Sequence, residues 1–221
     1  GVISNAMGGA ISRIDTMNNF PKVMQNLGYS SEDASKSIKK MSDRLTGLPT
    51  SLDSMTGMVQ QIAPLTGGLD EATNIGLAFN DMLLASGKGT ADQTRAMGQY
   101  TQMLSKGTVD LQSWRTLQEV MPGQLNQVAQ ALLGPTANSQ SLYEAMQNGT
   151  VSMDDFNNAM LNLDQNGANG FASFSQQAKD ATGGIATAFA NVKTSISRSL
   201  SGVMDAIGQT NISGVINGIS P

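Results

Sequence analysis

The chain has 221 residues, 39% hydrophobic and 14% charged, with net charge −4 and a pI near 4.7: enough to bury a core, and too acidic for nucleic acid as a primary ligand. Cys and His are both absent, which excludes disulfides, thiol nucleophiles, the usual zinc ligands and the readiest proton carrier near neutral pH. Ser, Thr, Asn and Gln number 23, 17, 17 and 17, so the expected surface is neutral and polar, and no run approaches the roughly 18 apolar residues of a membrane span.

Helix signals run from end to end while alternating β-branched runs are missing, so the expected fold class is all-α: a compact multi-helix domain followed by a long amphipathic helix. Ser4-Asn5-Ala6-Met7 resembles an expression scar and the chain reads as an excised fragment, yet Val2, Ile3, Ile11 and Ile14 keep helical spacing around it. A first helix is expected over 2–19, stopped before Pro21 because the residue preceding proline is pushed out of the helical region. A short helix over 22–27 should end at Gly28, and Ser30-Ser31-Glu32-Asp33 offers a capping box for a helix reaching Leu45.

After the loop Gly47-Leu48-Pro49-Thr50, a helix starting at Ser51 or Asp53 is weakened by Gly57 and interrupted by Pro64. Asp70 and Glu71 suit the positive start of the next helix, with Ile75, Phe79, Met82 and Leu83 as its apolar stripe. Thr90 with Gln93 reads as the cap of a helix facing inward through Met97, Tyr100, Met103 and Leu104 and ending at Gly107. Pro122-Gly123 should break the helix that follows, and a further helix is expected over 125–133, ended by Gly134-Pro135. Ser141 with Glu144 reads as the cap of a short helix leading to Gly149.

Two stretches 42 residues apart read as one device: Gly107-Thr108-Val109-Asp110-Leu111-Gln112-Ser113-Trp114 and Gly149-Thr150-Val151-Ser152-Met153-Asp154-Asp155-Phe156. Each has a glycine that ends a helix, an extended Thr-Val, a capping residue, and an aromatic four places inside the next helix. Val109 with Trp114, and Val151 with Phe156, form the pairing of a hydrophobic staple, which sets the angle between successive helices. Trp114, the single tryptophan, is expected as a core anchor rather than a ligand platform.

Residues 164–170 are expected to be the loosest stretch. Asp164-Gln165-Asn166-Gly167-Ala168-Asn169-Gly170 glances at a calcium loop, but Ser175 stands where the bidentate glutamate belongs. Gly183-Gly184 lacks the lysine of a phosphate loop. Beyond it Ile185, Phe189, Val192, Ile196, Leu200, Val203 and Ile207 recur at spacings of 4, 3, 4, 4, 3 and 4. Eleven residues over three turns describe a nearly straight helix, and this candidate partner-binding stripe needs a surface to cover it. The expected organisation is N-terminal helices over 1–45, a compact domain with both corners over 46–165, a connector over 166–183 and the amphipathic helix over 184–221.

Paired carboxylates are the catalytic option that remains without His and Cys. Asp70, Glu71, Glu119 and Glu144 are the candidates, and the helix dipole already accounts for acidic first turns. No catalytic, cofactor or metal residue is assigned. The fourteen methionines read as core filler more than as an adaptable binding surface.

The run Tyr100-Thr101-Gln102-Met103-Leu104-Ser105-Lys106-Gly107-Thr108-Val109-Asp110-Leu111-Gln112-Ser113-Trp114-Arg115-Thr116-Leu117-Gln118-Glu119-Val120-Met121-Pro122-Gly123 resembles the tail tape measure proteins of long-tailed bacteriophages and prophages. Leu45-Thr46-Gly47-Leu48-Pro49-Thr50-Ser51-Leu52-Asp53, the second corner and Phe171-Ala172-Ser173-Phe174 support it, over roughly 9–200. The resemblance implies a virion structural protein of the tail tube lumen, present in the host cytoplasm during assembly. It also implies a role in tail assembly and tail-length determination, with other tape measure copies and tail tube or tail-tip proteins as partners. Self-association through the C-terminal helix follows from the stripe, and a peptidoglycan-cleaving (muralytic) domain of a phage tail protein is the alternative. A helix of ~35 residues spans only about 50 Å, so the ruler itself would lie outside this fragment.

Overall fold

The computed structural model describes residues 2–183, with side chains from Ile11 onward. These residues form ten α-helices and one 3-10 turn, and their single β pairing is a bridge between Ala168 and Phe171. The described chain divides into two compact units, one ending at Thr56 and the other spanning Gly57–Gly183. The stripe Ile185 to Ile207 lies outside the described residues.

In the first unit α1 (Val2–Asn26) and α2 (Ser31–Arg44) pack together. Helix α1 does not stop before Pro21 but runs through it. An interior proline costs about 3 kcal/mol, whereas Phe20 and Met24, on either side of it, are fully buried. Burying each is worth about 1.5–3 kcal/mol, so tertiary burial outweighs the local rule. Gly28, at φ +99°, ends α1: its N–H bonds the Gln25 carbonyl and the Tyr29 N–H bonds that of Met24, both at 3.0 Å, which is a Schellman motif. Ser30 then caps α2 by accepting from the Asp33 amide at 3.0 Å. The buried Arg13 guanidinium donates to the Ser42 carbonyl at 2.9 Å and to its hydroxyl.

Helix α3 (Leu52–Ile62), capped by Ser51 through the Ser54 amide, crosses from one unit into the other and passes at Pro64 into the 3-10 turn Ala63–Leu65. In the second unit α4 (Leu69–Ala85) is the central element, meeting α5 (Thr90–Lys106), α9 (Met153–Asn166) and α10 (Phe174–Ala181). The expected stripe Ile75, Phe79, Met82 and Leu83 is fully buried, but so are Ala72, Leu77, Ala78 and the polar Thr73, Asn80 and Asp81. A helix hydrophobic on most sides is a buried helix, and small residues at 72, 76 and 78 let neighbours approach on its second face.

Helix α6 (Leu111–Val120) ends at Met121, and Pro122 begins α7 (Pro122–Leu133) from the first helical position, where its missing N–H costs nothing. Helix α8 (Ser139–Gln147) follows. Two expected caps fall elsewhere. Gly89, not Thr90, precedes α5: the Gln93 side chain donates through Nε2 to the Lys88 carbonyl at 2.8 Å, while its backbone N–H bonds the Gly89 carbonyl at 3.1 Å. Asn138, not Ser141, caps α8 and forms a reciprocal box with Ser141. Residues 164–170 are not loose: Gly167 (φ +66°), Asn169 (φ +55°) and Gly170 (φ +83°) make a tight reversal, closed by the Phe171 N–H on the Ala168 carbonyl at 2.9 Å. Residues 166–183 carry α10, whose Phe174 and Ala178 are fully buried and which packs on α4 and α9. Met55, Met58, Met82, Met103 and Met121 are all core residues, while Met97 is half-buried.

Candidate functional site

Both corners form as their residues require. At the first, Gly107 (φ +71°) ends α5 with its N–H on the Met103 carbonyl at 2.9 Å. Asp110 caps α6: Oδ1 accepts from the Ser113 amide at 2.8 Å and Oδ2 from the Ser113 hydroxyl at 2.9 Å, with Lys106 at 3.5 Å. At the second, Gly149 (φ +82°) ends α8, and the Val151 N–H reaches the Ala145 carbonyl at 3.0 Å. Ser152 and Asp155 close a full capping box there, each bond 3.0 Å. Val109 and Val151 are 5% exposed, and Trp114 and Phe156 not at all, the burial that a hydrophobic staple requires of both its members.

The Ser113 amide, and then its hydroxyl and Lys106, hold the Asp110 carboxyl below its usual pKa against a smaller opposing effect of burial. A depressed folded-state pKa stabilises the fold in full above about pH 4, and that contribution is lost as pH falls through the lowered value. Asn caps as well as Asp, so Asp110→Asn should match the parent near neutral pH and lose less stability below about pH 4. Asp110→Ala should cost about 1 kcal/mol at neutral pH. Urea denaturation at stepped pH reads both, and parallel pH profiles for parent and Asp110→Asn would refute the assignment.

The structure also brings the two corners together, which their sequence separation does not disclose. Trp114 meets Phe156 edge-on, centroids 6.1 Å apart and planes at 73°. Phe156 lies 6.3 Å from Tyr100, Tyr100 stacks on Phe79 at 4.2 Å, and Trp114 lies 6.2 Å from Tyr143. One aromatic chain thus crosses α4, α5, α9, α6 and α8. Trp114 Nε1 donates to the Ser139 carbonyl at 3.0 Å, and Gln147 Nε2, just before the second corner, donates to the Val109 carbonyl in the first at 2.7 Å. Beneath the rings the buried Tyr100 hydroxyl donates to Asn157 Oδ1. Burial, and then the charge of Glu71, push the Tyr100 pKa up, so the phenol keeps its proton.

The corners share one concavity of about 330 Å³, bordered by the turn before α4, the end of α5 and the start of α9; Glu71, Gly107, Ser152 and Asn157 all line it. The remaining candidate carboxylates are not gathered there. Glu119 pairs with Arg95 at 3.0 Å in the open, and Glu144 sits on the exposed face of α8. Among the described residues no group of three or more acidic side chains could hold a metal ion, and no helix is long and apolar enough to cross a membrane.

The family model described as tape measure protein matches residues 8–210. Neither the curated proteins nor the solved structures include a significant match. The family match takes in both corners and the run Tyr100 to Gly123 on which the resemblance rests, and agrees with an all-α fold built from packed helices. The chain belongs to the tape measure protein family, structural proteins of the bacteriophage tail.

Proposed function

We propose that this chain is a folded interaction module of a phage tail tape measure protein, contributing to tail assembly and tail-length determination by packing rather than by chemistry. The family match over 8–210 carries the reading. The most conspicuous devices in the sequence, the two corners, support it because they serve to lock helices together. The stripe Ile185, Phe189, Val192, Ile196, Leu200, Val203 and Ile207, read from the sequence and outside the described residues, associates with other tape measure copies or with tail tube and tail-tip proteins. The module works in the tube lumen of the virion, after assembly in the host cytoplasm. Because compact helical units advance along an axis by less than the 1.5 Å per residue of an extended helix, the measuring length belongs to sequence beyond them.

Light scattering of the whole chain and of a version lacking 184–221 tests this. The whole chain should be oligomeric, and the shortened one monomeric with unchanged helicity per residue. A whole chain that is strictly monomeric, and no less soluble or stable without 184–221, would overturn the proposal.

A further inference from the structure

The cleft beneath the corners holds two negative charges and one buried donor, with no cation among its lining residues. Glu71 stands in the first turn of α4, where Oε2 accepts from the Gly67 amide at 2.8 Å. Asp154 stands in the first turn of α9, exposed, its carboxylate bonded to no described residue. The helix dipoles explain each acid singly, but they do not explain Asn157 between them. That side chain is 5% exposed, and Tyr100 occupies its Oδ1. Its Nδ2 has no acceptor among the described residues, yet is not sealed from solvent; the concavity that Asn157 lines supplies that solvent. Water in the concavity can accept from that donor, and a carbonyl entering the concavity can take the water's place.

We infer that the cleft receives a basic side chain, arginine or lysine, from a partner protein. Glu71 and Asp154 flank the cationic head, the Asn157 Nδ2 donates to a carbonyl of the same segment, and Leu65 and Leu104 at the rim cover the aliphatic stem. The volume is at the low end for ligand sites, enough for one side chain and its peptide group. Two carboxylates exclude the anion that a helix N-terminus would otherwise attract. A charged head between exposed carboxylates also makes the binding weak and sensitive to salt.

The ¹⁵N-labelled whole chain, titrated with acetyl-Ala-Arg-Ala-amide and with its glutamine counterpart, tests the site. The arginine peptide should shift the Asn157 side-chain amide resonances at millimolar concentration. The glutamine peptide should bind about fivefold more weakly, and Asp154→Asn, a change at an exposed position, should weaken the arginine peptide by about the same factor. No shift at the Asn157 amide, equal binding of both peptides, or indifference to Asp154→Asn would each overturn the inference. None of these residues belongs to the C-terminal stripe, so this test and the light-scattering test fail separately.

Discussion

Trp114→Ala should lower the free energy of unfolding by about 4 kcal/mol in guanidinium or urea titration, within the range for truncating a buried Trp or Phe. The ring is fully buried, packs against Phe156 and Tyr143, and donates through Nε1 to the Ser139 carbonyl. Removing it leaves a cavity at the meeting point of two helix corners and a carbonyl without its donor, and neither defect can relax while both staples hold. Leu111→Ala, three positions earlier on the same helix and 43% exposed, should cost no more than about 0.5–1 kcal/mol. If the corners form one unit, Trp114→Leu and Phe156→Leu together should deviate from additivity by about 0.5–1.5 kcal/mol, the coupling expected of an edge-on aromatic pair. A Trp114→Ala cost no larger than that of Leu111→Ala would instead make Trp114 an exposed platform and remove the structural account of the corners.

What could be read in the sequence is what local chemistry decides. Ser30, Asp110 and Ser152 cap helices because a short oxygen-bearing side chain sits three residues before an amide that needs an acceptor, and Gly28, Gly107, Gly149 and Gly134 take the positive φ that ends a helix. Where two local signals compete, the reading fails by a few residues, as at Asn138 and Gly89. It fails outright where burial decides. Phe20 and Met24 carry α1 through Pro21, and α4 is apolar on more sides than its strongest stripe suggests. The meeting of Trp114 with Phe156 was beyond reach for a different reason: each corner is a complete local motif, and nothing in its own residues names the partner. The same holds for the cleft, since Glu71, Leu104 and Asn157 come from three helices and carry no common spacing. The family, by contrast, was legible from the run through the first corner, because the same residues that build the geometry carry the resemblance.

Gly167→Ala should cost about 3 kcal/mol, and Gly149→Ala about 1 kcal/mol, though both glycines have positive φ. At Gly149 an added Cβ meets nothing within 4 Å, so the penalty is the backbone conformation alone. At Gly167 the same Cβ would run into the Phe171 carbonyl oxygen and would lie 2.8 Å from the Ala172 carbonyl carbon and the Ser173 nitrogen. All three obstacles are backbone, so no rotamer change relieves them, and the reversal from 167 to 171 must open. That reversal delivers Phe174 and Ala178 of α10 to α4 and α9, so the damage should spread beyond the turn. Chymotrypsin, which cleaves after accessible aromatics, should then cut Gly167→Ala after Phe174, fully buried in the parent, far faster than it cuts the parent or Gly149→Ala there. Equal destabilisation by the two substitutions, with equal resistance around α10, would mean that φ alone sets the cost and that the close backbone approach at 167 does not matter.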